Sequence, residues 1–182
     1  METIQIESAG KIRKNKLAIE KKLDVKITVK DKKVEIKGSP VEEYEASQVL
    51  DALDFGFSLR DALKITDENV TFRKLPIKQF TRRKNLEEVR GRIIGTEGKT
   101  KRVVEEVSGC AVVLHQNTIG VIGPAENIEE ATTALEKLIR GSKQTNVYRF
   151  LERMNTAQRG KLFFDRKKKE ESDKGIENEE EQ

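Results

Sequence analysis

The sequence predicts an α+β fold built from two tandem copies of one unit, and three observations carry that prediction. Its second half orders its elements as helix, glycine turn, helix, strand, strand, helix. The first half repeats the same apolar pattern at a fixed offset. Finally, apolar residues make up 35% of the 182 against 37% charged, so each core rests on a few aliphatic stripes and gains from contact between the copies.

In the second half, Arg90 to Thr100 reads Arg-Gly-Arg-Ile-Ile-Gly-Thr-Glu-Gly-Lys-Thr, an apolar pair running into a Gly-x-x-Gly turn. Thr100, Val103, Val104 and Val107 then recur at i, i+3, i+4, i+7, the spacing of an amphipathic helix, which Ser108-Gly109 stops. Ala111 to Leu114 reads as a strand, Gln116 to Thr118 as a turn, and Ile119 to Ile122 as a second strand closed by Gly123-Pro124. Ala131, Ala134, Leu135 and Leu138 set the buried face of a longer helix, and Gly141 ends it. From Asn146 to about Gln158, Val147, Phe150, Leu151 and Met154 mark one more helix, with Thr145 placed to cap it.

Gly38 and Gly123 stand 85 positions apart (123 − 38). At that offset Gly10 falls on Gly95, Ile19 on Val104, Glu20 on Glu105, Ile27 on Val112, Val34 on Ile119 and Ile36 on Val121, with no gap. Ala46, Val49, Leu50 and Leu53 match the buried face of the later helix. Ser58 with Asp61, spaced as in a capping box, opens a trailing helix through Leu59, Ala62, Leu63 and Ile65. The boundaries that follow are 1–66 for the first copy, 67–165 for the second and 166–182 for a tail. A basic cluster, Arg166 to Lys169, and an acidic end, Glu177 to Glu181, predict that the tail is disordered.

The glycine turn carries the chemistry. Gly95 and Gly98 have no Cβ, so the main chain can approach a sugar-phosphate chain and turn its amides toward phosphate. Lys99, Lys101 and Arg102 occupy the opening turn of the next helix, where the helix dipole also favours an anion. From Arg73 to Arg102, eleven basic residues (Arg73, Lys74, Lys78, Arg82, Arg83, Lys84, Arg90, Arg92, Lys99, Lys101, Arg102) oppose three acidic ones (Glu87, Glu88, Glu97). Such a stripe is either a solvated face or a phosphate track, and its coincidence with the turn favours the track. The first copy reads Gly10-Lys11-Ile12-Arg13 at the same place, and the Arg13 side chain obstructs the approach that Gly98 permits. That copy is degenerate, with Lys11, Arg13, Lys14 and Lys16 either touching phosphate as point charges or forming a solvated surface.

On these residues the chain resembles a tandem KH protein. It is similar to the archaeal members of the KH-domain family that includes the eukaryotic partner of the Nob endonuclease, a factor in maturation of the small ribosomal subunit. The resemblance rests on Arg90-Gly91-Arg92-Ile93-Ile94-Gly95 with Glu97-Gly98-Lys99-Thr100, on Lys26-Ile27-Thr28-Val29, on Ile122-Gly123, and on Val147 to Arg153. It implies two type I KH domains of order βααββα, each a three-stranded antiparallel sheet packed on helices. It also implies a non-catalytic factor bound to single-stranded RNA, the 3′ region of small-subunit ribosomal RNA. The protein partners it implies are a Nob-type endonuclease and the alpha subunit of translation initiation factor two. Carried onto this sequence, it assigns RNA contact to Arg90, Arg92, Ile93, Ile94, Gly95, Thr96, Glu97, Gly98, Lys99, Thr100, Lys101, Arg102 and Val113. Ile93, Ile94, Val103 and Val113 are the candidates for an apolar floor under the bases. Two departures stand out: the first turn lacks its second glycine, and Thr96 sits where a basic residue is common.

Other chemistries fit poorly. Seven Phe and two Tyr, with no Trp, are too few for a broad stacking platform. One Cys and one His cannot supply the three or four nitrogen and sulfur ligands of a metal site, no cofactor is implied, and Cys110 reads as a small packed residue. No apolar run is long enough for a membrane span or a secretory signal, which places the protein in the cytoplasm. A net charge of +4 is too modest to argue for nucleic acid by itself. Two rivals remain. Gly98-Lys99-Thr100 before a helix imitates the end of a nucleotide-binding P-loop, but Ile93 stands where that pattern requires a glycine. The other rival is a protein-interaction scaffold whose basic stripe binds an acidic partner.

Overall fold

The computed structural model describes residues 2–7 and 9–157, and the expected tail at 166–182 lies outside them. Strand β1 (Glu2–Gln5), helix α1 (Ala9–Leu23), strands β2 (Lys26–Lys30) and β3 (Lys33–Lys37), and helix α2 (Pro40–Phe55) form the first unit. Its sheet is antiparallel in the order β1-β3-β2. A short helix α3 (Leu59–Ala62), continued by a 3-10 turn, leads to the second unit. There, strand β4 (Val70–Pro76), helices α4 (Leu86–Ile94) and α5 (Lys99–Ser108), strands β5 (Ala111–His115) and β6 (Thr118–Pro124), and helix α6 (Ala125–Arg140) follow in turn. This sheet is antiparallel too, in the matching order β4-β6-β5. A last helix, α7, spans residues 144–157.

Local chemistry explains most boundaries. Ser39 caps α2 in a reciprocal box with Glu42, Pro40 opens the helix, and Gly56 follows it at φ 124°. Ser58 caps α3 by accepting from the Asp61 amide. The α7 start differs from expectation: the Lys143 carbonyl accepts from the Asn146 and Val147 amides, so Thr145 lies inside the first turn and is not the cap.

The repeat is physical. Strands β2 and β5 and helices α2 and α6 superimpose in sequence at the 85-residue offset, and the faces Ala46, Val49, Leu50, Leu53 and Ala131, Ala134, Leu135, Leu138 are all fully buried. Even a side-chain contact recurs. Glu20 accepts from the Ile27 amide at 2.7 Å and Glu105 from the Val112 amide at 2.8 Å, each pinning a helix to the start of the next strand.

The first unit nevertheless lacks part of the pattern. Gly10 to Arg13 form no turn between helices; they are the opening of the single helix α1, and Ile12 within them is fully buried. Sheet register gives the size of the loss. Glu2 pairs with Ile36 and Arg73 with Val121, so the first strands are offset by 71 (73 − 2) while all later elements are offset by 85. The 14 missing positions (85 − 71) are those that would hold a counterpart of α4 and its turn. The first unit is therefore βαββα, not the expected βααββα.

The two units share an apolar seam. Phe55 and Phe57 pack 6.0 Å apart, and both meet Phe72 of β4, at 5.8 and 5.5 Å. Gly120 of β6 lies beneath them, where a Cβ would come within 2.5 Å of the Phe55 ring. Ile122 completes the core of the first unit from the second. Lys74 lies over the Phe55 and Phe72 rings and pairs with Asp51 at 2.7 Å. His115 is half-buried at this seam, 3.0 Å from the Phe55 carbonyl and 3.2 Å from Glu7. Cys110 is buried, as expected of a packed residue, and that burial pushes its thiol pKa up. Among the described residues no helix is long and apolar enough to cross a membrane.

Candidate nucleic-acid interface

Asn85 caps α4, its side-chain oxygen accepting hydrogen bonds from the Glu87 and Glu88 amides. Its periodicity then divides its residues. Val89 and Ile93 are fully buried under α6, whereas Glu87, Arg90, Gly91 and Ile94 face outward. Together with Leu114 and Gln116 of the β5 edge, those outward residues line a groove of about 370 Å³. Ile94, 39% exposed, and Leu114 supply its apolar floor. The Arg90 guanidinium donates to the Gln116 carbonyl at 3.4 Å, linking α4 to the turn after β5.

The glycine turn sits at the end of α4. Its two glycines do different work. Gly95 has φ 75° and ψ 173°, a region essentially reserved for glycine, and a Cβ there would lie 2.2 Å from the Thr100 hydroxyl oxygen. Gly95 is thus required by the fold. Gly98, at φ 75° and ψ 12°, has nothing within 4 Å of where its Cβ would be, so its bare main chain faces open space. Between them Glu97 also adopts a left-handed conformation. The amides of Gly95, Gly98 and Lys99 donate within the turn, to the carbonyls of Gly91, Gly95 and Thr96, so these three do not point outward as the sequence suggested.

Several expected contacts take other roles. Thr100 is 1% exposed, accepts from the Tyr148 hydroxyl at 3.1 Å and packs on Gly95, which makes it a joint between α5 and α7. Ile93 is wholly core. Val113 points to the opposite face of its strand from Leu114 and packs at the seam, 3.3 Å from the Gly56 Cβ position. Lys101 pairs with Glu105 at 2.9 Å, and Lys16 meets Glu20 in the same way at 3.7 Å, so these lysines brace the repeated strand anchor. Arg92 donates to the Ser142 carbonyl at 2.9 Å, tying α4 to the start of α7. Lys11 donates to the Gly56 carbonyl. Thr96, Glu97, Lys99 and Arg102 are exposed around the turn, as are Arg13 and Lys14 on α1, while Val103 is half-buried.

Sequence reasoning missed Glu87, Gly91, Leu114 and Gln116. The signal for Leu114 was present: side chains alternate along a strand, and Leu114 shares the face of Val112, whereas Val113 does not.

A three-stranded antiparallel sheet with order β4-β6-β5, packed on three helices and carrying a Gly-x-x-Gly turn between the first two, defines this unit as a type I KH domain. A family model for the second PNO1 domain, described as a eukaryotic-type KH domain (KH-domain type I), matches residues 71–156. The chain belongs to the PNO1/Dim2 family of KH proteins. A KH domain-containing protein of Methanocaldococcus jannaschii is 32% identical over 151 residues, 79% of this chain and 66% of that one. The RNA-binding protein pno-1 of Caenorhabditis elegans is 30% identical over 148 residues, 76% of this chain and 52% of its own length. The chain thus spans between half and two thirds of these relatives. Dim2p from Pyrococcus horikoshii superimposes with a TM-score of 0.75 at 34% identity, covering 84% of this chain and 98% of that one. The same protein has been solved in a complex of a/eIF2alpha, aDim2p and rRNA, where it matches with a TM-score of 0.76 at 33% identity, covering 86% and 94%.

Proposed function

We propose that the chain is a tandem-KH factor that grips single-stranded RNA in the α4–β5 groove and against the Gly98 turn, without catalysis. The groove carries the reading: an apolar floor of Ile94 and Leu114 suits unstacked bases, and the open main chain at Gly98, followed by exposed Lys99 and Arg102, suits their phosphates. Ile94, Gly98, Thr96, Glu97, Lys99, Arg102 and Arg90 are the contacts that remain. The first unit has no second helix to form the opposing wall, so it acts as a degenerate KH unit, with Arg13 and Lys14 as its available point charges.

Ribosomal RNA is the substrate class, supported by the relative solved with rRNA. Within it, the 3′ region of the small-subunit RNA follows from the family resemblance, while a cytoplasmic site of action is proposed from the sequence, which carries no apolar run long enough for a membrane span or a secretory signal. The initiation factor two alpha subunit is proposed as a partner on the same complex, and a Nob-type endonuclease on the resemblance alone.

The test is a fluorescence-anisotropy titration with single-stranded RNA of the 3′ region, a scrambled strand and a duplex, over a salt series. Contacts to about three phosphates predict a slope of log K against log salt near −2 for the single strand. The duplex should bind more weakly. Equal affinity for duplex and single strand, or no salt dependence, would remove the basis of the proposal.

A further inference from the structure

Helices α2 and α6 are the same element in two copies, so each serves as a control for the other. Val41 and Tyr44 correspond to Glu126 and Glu129 at the 85-residue offset, and all four are exposed. Where the second copy meets water with two carboxylates, the first shows Val41, 67% exposed, and Tyr44, 63% exposed. One turn apart, they share a helix face. Tyr44 forms one side of a groove of about 390 Å³ whose floor continues through Ile65, Val70 and Phe72. Glu45, Asp67 and Glu68 line the same groove, and no Lys or Arg among the described residues does.

From this, we infer that the α2–β4 groove is a protein-docking site for a basic segment bearing an apolar anchor, supplied by a partner protein. Three carboxylates disfavour phosphate and favour Lys and Arg, while the apolar floor takes an aromatic or aliphatic side chain. Nucleic acid is thereby directed elsewhere. The site is also remote from the RNA groove. Val70 to Phe72 pair with the Ile122–Pro124 end of β6, whereas Gln116 lies in the turn at its Thr118 end. Six strand residues separate the two ends, roughly 20 Å. Both grooves can be filled at once.

The test uses the full chain, isotopically labelled, titrated with a peptide of about ten residues in which lysines alternate with leucine and phenylalanine. Amide shifts should concentrate at Tyr44, Gln48, Thr66 and Phe72. Tyr44→Glu, which restores the second copy's choice at an exposed position, should leave thermal unfolding unchanged and weaken the peptide at least about tenfold. Raising salt should weaken it further. Shifts elsewhere, equal binding by the variant, or displacement of the peptide by single-stranded RNA would overturn the inference. If Tyr44→Glu alone moves the resonances of residues 158–182, the occupant is this chain's own basic segment and the partner reading falls.

Discussion

Gly98→Asp is the sharpest perturbation of the proposed RNA grip, because the structure predicts its effects on folding and binding separately. The new Cβ meets nothing within 4 Å, so the only folding penalty is a left-handed conformation, about 1 kcal/mol, and Asp tolerates it better than most residues. Binding should suffer more. A carboxylate about 6 Å from a bound phosphate repels it by about 3 kcal/mol at an effective dielectric of about 20. Screening over a Debye length of about 8 Å leaves about 1.3 kcal/mol, roughly tenfold in Kd. Gly98→Asn is the matched control, with the same shape and backbone tolerance and no charge. Anisotropy titrations with single-stranded RNA should therefore rank wild type, Asn and Asp in that order, with the gap between Asn and Asp shrinking as salt rises. Equal Kd values for Asn and Asp even at low salt would show that no phosphate lies near Gly98. Gly95→Ala makes the contrast: its Cβ would overlap Thr100 in a conformation only glycine favours, so it should lose about 3 kcal/mol or more of stability.

Two further outcomes concern the scaffold. Phe57 is 1% exposed and touches aromatic rings from both units, so Phe57→Ala should cost about 3–5 kcal/mol in urea unfolding. Asp61 reports on acid: burial pushes its carboxyl up, but hydrogen bonds from Lys64 at 2.8 Å and Ser58 at 2.7 Å outweigh that and hold its pKa below the ordinary 3.8. A lowered folded value means that its stabilisation is complete above the unfolded pKa and disappears as pH falls through the folded one. Asp61→Asn should therefore lower stability at pH 7 and lose less than wild type on acidification below about pH 4. An identical pH profile for the two proteins would contradict the assignment.

Much of the fold was legible because it rests on periodicity. The α2 and α6 faces, the two hairpins and the glycine turn of the second unit all follow from spacing alone. The first unit misled at its start. Offset comparison sees which residues match and is blind to a segment that is absent before the match begins, so Gly10 was aligned with Gly95 although no helix precedes it. The site was less legible than the fold. A motif marks which residues cluster, and it does not say which of them turn inward. Thr100 lies in the motif yet bonds to Tyr148, 48 positions away, and no local pattern announces that contact. Val113 in place of Leu114 is a different error, a one-residue slip on a strand, which moves a side chain to the other face.

The shortfall in the first unit bears on how this architecture can be rebuilt. Changing Arg13 to glycine would restore the lost motif in letters only, since that position sits in a continuous helix and no wall stands across from it. A protein with two reading heads would need the whole α4 segment and its turn transplanted between β1 and α1. The graft would also have to bring a partner for Arg92, whose anchor in the second unit is the Ser142 carbonyl. A helix and its turn cannot be supplied by point changes, which leaves the surface of the first unit open to other employment.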